Sequence, residues 1–257
     1  MRNGRHGRHR RRGHRPGRGR RGTRTGAVHH ALRLPAPAGG KRQRSSGTKP
    51  PHGPARLYFE GVPNREITIA SVDKVPWDHV RTVFGNRGDP HRCWCQFFKL
   101  PSKAWETAEP DQCEQLLLEQ VRANGPPPGV IAYQGDEPVG WCAVEPRPNY
   151  PRLLRAKVVT GGSRQDTEDA SVWTVTCFVV RVGYRRHGIA ADLLAGAIEQ
   201  ARRLGARVIE GYPVDAAERP KAPAAELYHG TVSLFLGAGF EVVARPTGDR
   251  AVVELVL

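Results

Sequence analysis

The first 50 residues of the chain contain no aspartate, no glutamate, no cysteine and no aromatic residue. They hold 16 of the 40 lysines and arginines, so the other 207 residues carry 24 basic against 25 acidic side chains and are nearly neutral. A segment without aromatic residues and with charge of one sign cannot form a hydrophobic core. We therefore predict a disordered basic tail rich in Arg and Gly over residues 1–55, followed by one domain over residues 56–257.

Two interpretations of the tail stay open. An Arg and Gly mixture neutralises phosphates without folding, which favours an electrostatic arm for nucleic acid. The alternative is an extension without a selected role, or translated upstream sequence from a start codon assigned too early. Nucleic acid binding is therefore expected only through residues 1–55.

Long apolar runs are also missing. A membrane span needs about 20 apolar residues, and stretches such as Val175–Val180 are far shorter. The residues after Met1 are mainly Arg, Gly and His instead of the apolar core of a secretory signal. Five cysteines, an odd number, fit a reducing compartment better than a disulfide framework. These features predict a cytoplasmic protein without a membrane association.

Apolar periodicity predicts an α/β fold with a mixed sheet. The predicted strands are Glu66–Ala70, Val130–Tyr133, Val139–Val144, Val172–Val180, Ala206–Tyr212, Phe240–Ala244 and Ala251–Val256; the predicted helices are Trp77–Phe84, a helix beginning at Pro110 and ending before Asn124, Gly188–Leu204 and Tyr228–Ala238. The second and third strands form a hairpin. One long irregular segment, Glu145–Ala170, interrupts the sheet region, and loops of this length are usually functional or disordered.

The turn between the predicted strand Val172–Val180 and the next helix predicts an anion site. It is formed by Arg185, Arg186, His187, Gly188, Ile189 and Ala190. A helix that begins after such a turn directs unpaired N–H groups and the positive end of its dipole to one point. Gly188 lets the backbone approach a phosphate, and the arginines add charge-assisted hydrogen bonds.

Arg185, Gly188 and Ala190 match the Arg-x-x-Gly-x-Ala/Gly loop, and the turn resembles the pyrophosphate loop of the GNAT superfamily of N-acetyltransferases. The resemblance implies a mixed, mostly antiparallel sheet flanked by helices (α+β), with acetyl-CoA as co-substrate. It also implies that Phe178, Val179 and Val180 line the pantetheine arm. The implied reaction is direct acetyl transfer to an amine.

A second resemblance lies near the C-terminus. The family often shows Asn-x-x-Ala-x-x-Leu-Tyr-x-x-x-Gly-Phe there, and the same spacing in this chain runs from Tyr228 to Phe240. Phe235 stands where the family commonly has the tyrosine that protonates the leaving thiolate. Phe235 has no proton to give, so that role is unfilled, passes to water or lies elsewhere.

Several residues are candidates for proton transfer. An amine with a pKa of about 10 must lose a proton before it attacks. Glu145, Glu210 and Asp215 lie at the ends of predicted strands and are candidate bases, while Tyr228 and His229 are candidate acids at the start of the last helix. Each could instead be a solvated surface group.

No metal site is predicted. His91, Cys93 and Cys95 are close in sequence, but the Cys-x-Cys spacing is short and no second cysteine pair follows at a zinc-finger distance. We expect Cys93 and Cys95 to pack, with Phe97 and Phe98, over the acceptor side of the cleft.

The sequence therefore favours an acetyl-CoA-dependent N-acetyltransferase with a small-molecule or peptide amine as acceptor. Two alternatives remain: a GNAT domain that binds acyl-CoA without turnover, and a nucleic-acid-associated protein that acts through its tail. The acceptor and the oligomeric state, a dimer included, are not specified by the sequence.

Overall fold

The computed structural model of the protein describes residues 66–216, 218 and 224–257. The predicted tail over residues 1–55 and the start of the predicted domain lie outside the described residues. Among the residues that the structure does describe, no helix is both long enough and apolar enough for a membrane span.

Seven strands form one mostly antiparallel sheet, which confirms the predicted fold class. The strands are β1 Ile67–Ser71, β2 Gly129–Gln134, β3 Glu137–Pro146, β4 Val172–Val180, β5 Val208–Gly211, β6 Glu241–Thr247 and β7 Arg250–Val256. Their order in the sheet is β1-β2-β3-β4-β5-β7-β6. Within it, β4 and β5 pair in parallel, because the helix between them returns the chain to the same end of the sheet.

Helices cover both faces of the sheet. They are α1 Trp77–Phe84, α2 Gly88–Cys93, α3 Ser102–Glu106, α4 Pro110–Arg122, α5 Lys157–Thr160, α6 Ile189–Arg203 and α7 Val232–Gly237. Short 3-10 helices follow β1, follow β3 and precede α7; they are Val72–Lys74, Arg147–Asn149, Leu153–Arg155 and Ala224–His229.

Alternation along the strands divides the core between these two faces. Val130 and Ala132 of β2 pack against the apolar stripe of α6, whereas Ile131 packs toward α1, α2 and α4. The second face contains two fully buried indoles, Trp94 and Trp141. Both faces of the central strands are therefore covered, which explains why β2 and β3 are almost continuously apolar.

The predicted helix Tyr228–Ala238 is wrong in one respect. The structure divides it into the 3-10 helix Ala224–His229 and α7, with Gly230 between them at a φ of 77°. This left-handed conformation favours glycine and ends a helix. A new helix begins at Thr231, whose Oγ1 accepts a hydrogen bond from the Leu234 N–H at 3.3 Å.

The packing of α6 on β1 leads to a stability prediction. A Cβ added at Gly196 would lie 2.3 Å from Cγ2 of Ile69 and 3.0 Å from its Cβ. We expect Gly196→Ala to lower the free energy of unfolding by about 1–3 kcal/mol, since this overpacking outweighs a gain in helix propensity of about 1 kcal/mol. Urea denaturation measures the change. The control is Gly237→Ala in α7, where an added Cβ meets nothing within 4 Å; stabilisation by both substitutions would contradict the close packing at Gly196.

Candidate active site

The parallel pairing of β4 with β5 ends half-way along β4. It runs from Val172 opposite Val208 to Val175 opposite Gly211, whereas β4 continues to Val180. Among the described residues, no strand pairs with the β5 side of β4 beyond Val175. The two strands therefore separate into a cleft with the backbone of β4 as one wall.

A β-bulge lies where the strands separate. Ala143 of β3 pairs with Cys177, but Val144 pairs with Val175, so Thr176 is an extra residue in β4. Beyond the bulge, Phe178 and Val180 pack on the α6 side of the sheet and Val179 on the opposite side. The bulge thus sets which side chains of the second half of β4 face each helical layer.

The loop from β4 to α6 has the backbone geometry of an anion site. Gly183, Arg186 and Gly188 have φ values of 95°, 62° and 79°, and Gly188 is the N-cap of α6. Within the described part of the chain, the N–H groups of residues 185–190 donate to no backbone carbonyl. Left-handed residues interspersed in such a turn point successive N–H groups to one side, and the dipole of α6 favours a negative charge there.

The side chains of this loop are mostly in solvent. Arg185, Arg186 and His187 are exposed, while Ile189 is buried under the sheet. The Nε of Arg185 donates to the Val180 carbonyl at 2.9 Å, which ties the loop to the last residue of β4. The cofactor residues expected from the sequence therefore lie together at one end of the cleft.

His229 lies against the bulge. Its Nδ1 is 3.0 Å from the Thr176 carbonyl oxygen, and its side chain is 4% exposed. Burial, together with the positive charge of Arg250, lowers the pKa of His229 to about 3. The imidazole is therefore neutral at neutral pH, and because Nδ1 donates to a carbonyl, the lone pair is on Nε2.

A buried neutral histidine predicts acid sensitivity. The pKa of His229 is about 3 in the folded chain against an ordinary value of 6.5, so between these pH values the unfolded chain binds one more proton than the folded chain. Stability is then lost as the pH falls below 6.5, with a contribution of about 1.4 kcal/mol per pH unit. We expect His229→Gln to remove this contribution, as measured by urea denaturation from pH 7 to 5; equal slopes for the two proteins would mean that His229 titrates normally.

Tyr228 lies beside His229, with ring centroids 4.0 Å apart. Burial raises the pKa of the Tyr228 hydroxyl, although the guanidinium of Arg250 opposes the effect. The hydroxyl therefore stays protonated at neutral pH and is available as a hydrogen-bond donor. Tyr228 and His229 belong to the same 3-10 helix and approach the cleft together.

Glu145, a candidate base, is held in a buried polar cluster. Its carboxylate forms an ion pair with Lys99 and accepts a hydrogen bond from Asn149 at 2.8 Å. Lys99 also donates to Gln120 at 2.7 Å. Glu145 is 4% exposed and its oxygens already have donors, so the side chain connects β3 to the α2–α3 segment and to α4.

Glu210 is 0% exposed and pairs with Arg147, which is also 0% exposed. Oε2 of Glu210 lies 2.6 Å from NH1 of Arg147 and 2.7 Å from the Tyr212 hydroxyl, and the Ser163 hydroxyl donates to Oε1 at 2.6 Å. Arg147 also donates to the Gln165 carbonyl at 3.0 Å. The hydrogen bonds of this cluster connect the long segment after β3, which contains Arg147 and Ser163, to Glu210 of β5. Asp215, the third carboxylate, pairs with Arg245.

The five cysteines are all free thiols, and burial raises the pKa of Cys93 to about 12. Cys95, Cys113 and Cys142 are buried, while Cys93 and Cys177 are half-buried. Within residues 66–216, 218 and 224–257, no three His, Cys, Asp or Glu side chains are grouped so that they could hold a metal ion.

A sequence model of the Acetyltransferase (GNAT) family matches residues 94–229, from Trp94 directly after α2 through the loop before α6 to His229. The chain belongs to the GNAT acetyltransferase family.

Several solved structures are similar to this GNAT chain. One is an N-acetyltransferase from Staphylococcus aureus Mu50, which is 13% identical and has a TM-score of 0.45; the match covers 74% of this chain and 98% of that chain. Another is yncA from Salmonella typhimurium, solved with its cofactor acetyl-CoA, with 15% identity, 74% and 94% coverage and a TM-score of 0.42. A third is a ribosomal-protein-alanine N-acetyltransferase from Brucella melitensis, with 16% identity, 75% and 99% coverage and a TM-score of 0.41. No curated protein matches the sequence significantly.

Phe235 of this GNAT domain is fully buried. Its ring lies between Gly211 at the end of β5 and Gly230, and an added Cβ on Gly211 would be 2.5 Å from the ring. Phe178 and Phe240 pack against it edge-on, with ring centroids 6.2 and 5.0 Å away. The residue at the position of the family's tyrosine therefore packs in the core beside the cleft.

Sequence reasoning missed Lys99, Arg147 and Arg152. Arg147 and Arg152 lie in the irregular segment after β3, and Lys99 in the segment between α2 and α3. No local pattern marks them, because their partners are distant along the chain.

Proposed function

We propose that the protein transfers the acetyl group of acetyl-CoA directly to an amine acceptor. One observation carries the proposal: within the described residues, the end of β4 that has no parallel partner leads into six consecutive N–H groups that donate to no backbone carbonyl. A free strand edge pairs with amide groups, and a nest of N–H groups binds phosphate. The pantetheine amides and the pyrophosphate of acetyl-CoA present these two groups in the same order.

Each part of the loop has a role in this proposal. The N–H groups from Arg185 to Ala190 and the N-terminus of α6 hold the pyrophosphate, while Arg185 and Arg186 add positive charge around it and His187 adds a ring N–H donor. Phe178, Val179 and Val180 supply the backbone edge for the pantetheine arm. Acetyl-CoA, when bound, supplies an acetyl thioester. N–H groups of β4 that point away from β3 stabilise the oxyanion formed at that carbonyl.

Two side chains contact the reacting groups in the proposed reaction. Glu145 and Glu210 are committed to Lys99 and Arg147, which favours His229 and Tyr228. The free amine attacks the thioester carbonyl and forms the C–N bond, and the C–S bond breaks as the oxyanion collapses. Because the pKa of His229 is about 3, Nε2 orients the amine by accepting a hydrogen bond, while the proton of the amine passes to water. The Tyr228 hydroxyl gives a proton to the sulfur and regains one from solvent.

Two measurements on the full chain test the proposal. Calorimetric titration with acetyl-CoA should give micromolar binding, and a thiol reagent should detect release of CoA that depends on added amine. Binding without amine-dependent release would identify an acyl-CoA-binding protein without turnover, for which the buried Phe235 is the specific feature. The absence of binding would overturn the proposal.

A further inference from the structure

A second pocket lies on the acceptor side of the cleft. It has a volume of about 360 Å³ and lies between the α2–α3 segment and the 3-10 helices after β3. Aromatic and proline side chains line it together with two arginines, Arg152 and Arg155, and none of the described residues that line it carries a carboxylate. The pocket has the size of small-molecule sites, which begin at about 300 Å³.

Arg152 is the unusual group in this pocket. The residue is half-buried, and its Nη1 atom is buried without a hydrogen-bond partner among the described residues. Its guanidinium lies over the ring of Phe97 with the central carbon 4.1 Å from the ring centroid. Among the described residues, no acidic side chain forms an ion pair with Arg152 or Arg155. A buried donor on a cation is costly when it stays unpaired, so an anion bound at this guanidinium would be stabilised by it.

The backbone holds Arg152 in place. Its N–H donates to the Phe98 carbonyl at 3.1 Å, which joins the two segments that form the pocket. Stacking on Phe97 further restricts the guanidinium. A fixed guanidinium presents two parallel N–H donors and is suited to a planar carboxylate.

Phe98 connects this pocket to the bulge in β4. The Phe98 ring lines the pocket, and its centroid lies 5.5 Å from that of His229. His229 in turn donates to the Thr176 carbonyl. A molecule that extends past Phe98 could place one end at Arg152 and the other near His229.

We propose that this pocket binds a carboxylate of the amine acceptor, with Arg152 as the specificity-determining residue. The acceptor is then a small amino acid or amino-carboxylic acid with apolar or aromatic atoms between its charged ends, because Phe97 and Phe98 contribute the remaining surface. The inference rests on the proposed acetyl transfer, since it names the acceptor of that same reaction.

Matched amines that differ by one carboxylate test the assignment. The first pair is L-phenylalanine with phenethylamine, in which the carboxylate lies next to the amine. The second pair is 4-(aminomethyl)benzoate with benzylamine, in which the carboxylate lies across the ring from the aminomethyl group. Each is assayed by thiol release with saturating acetyl-CoA and, separately, by calorimetric titration into the full chain. In at least one pair we expect the carboxylate-bearing compound to have a 10-fold or greater advantage in kcat/KM and in affinity.

Arg152→Gln should abolish this advantage, and Arg152→Lys should retain only part of it because lysine lacks the planar fork. The control is Arg202→Gln, an exposed arginine on α6, which should leave the preference unchanged. Acetyl-CoA affinity is measured on every variant as a check of the fold and of the proposed function.

The outcomes separate the two proposals. Equal use and equal binding of both members of both pairs would overturn the carboxylate site, as would a preference that survives Arg152→Gln. If acetyl-CoA itself fails to bind, the proposed function is refuted, while calorimetry with the carboxylate compounds still reports directly on the Arg152 site.

Discussion

Gly188→Glu is expected to weaken acetyl-CoA binding at least about 100-fold, which corresponds to about 2.7 kcal/mol. The substitution places a carboxylate at the N-cap of α6, in the loop whose N–H groups, residues 185–190, donate to no backbone carbonyl of the described chain. The new carboxylate can occupy these donors itself and repels a phosphate. Calorimetric titration of wild type and variant with acetyl-CoA measures the loss.

Gly205→Glu is the matched control. Gly205 has a φ of 84°, against 79° at Gly188, so both substitutions impose the same left-handed strain. An added Cβ at Gly205 meets nothing within 4 Å, and the residue follows the other end of α6, about 25 Å from Gly188 at 1.5 Å per residue. Similar unfolding midpoints with a loss of binding only in Gly188→Glu would support the anion site. Unchanged affinity in Gly188→Glu would refute it.

The fold and this loop could be predicted because their signals are local. Alternation in β2 and β3, the stripe of α6 and the turn around Gly188 each lie within one short segment of sequence. The strand order then follows from hairpins and one crossover. The bulge at Thr176 has no such signal, since it depends on the register between β3 and β4, and Thr176 resembles any other strand residue.

Side-chain partnerships explain why the candidate bases were difficult to rank. Glu145 pairs with Lys99, 46 residues away, and Glu210 with Arg147, 63 residues away. Each carboxylate lies near the end of a strand and is plausible as a base from its position alone. Only the three-dimensional arrangement reveals that both are already paired with a cation.

The same limit applies to the acceptor pocket. Its aromatic residues and its arginines come from the two least regular segments of the domain, where neither helical nor strand periodicity fixes the direction of a side chain. The sequence predicts only that the segment around Phe97 and Phe98 packs over the acceptor side and that Glu145–Ala170 is irregular. It could not specify that Arg152 stacks on Phe97, and hence it carried no information on the charge of the acceptor.

Arg147→Met is expected to lower the free energy of unfolding by about 3–5 kcal/mol, because it leaves Glu210 as an unpaired buried charge. The carboxylate of Glu210 would keep only the hydroxyls of Ser163 and Tyr212 as donors. The Arg147 bond to the Gln165 carbonyl, which holds the long segment after β3, would also be lost. Urea denaturation at pH 7 measures the effect.

Glu210→Gln separates a structural role from a catalytic one. If Glu210 serves only as the partner of Arg147, this variant strongly lowers the free energy of unfolding. The fraction of molecules that remains folded then has the kcat of the wild type. The double variant Arg147→Met with Glu210→Gln removes both charges, so its destabilisation should be smaller than the sum of the two single effects by about 1–3 kcal/mol. If Glu210→Gln instead lowers kcat strongly and changes the free energy of unfolding little, Glu210 is the general base of the reaction. If the destabilisation of the double variant equals the sum of the two single effects, the two buried charges are not coupled. In a coupled pair, the first substitution already removes the interaction, so the second substitution costs less free energy of unfolding.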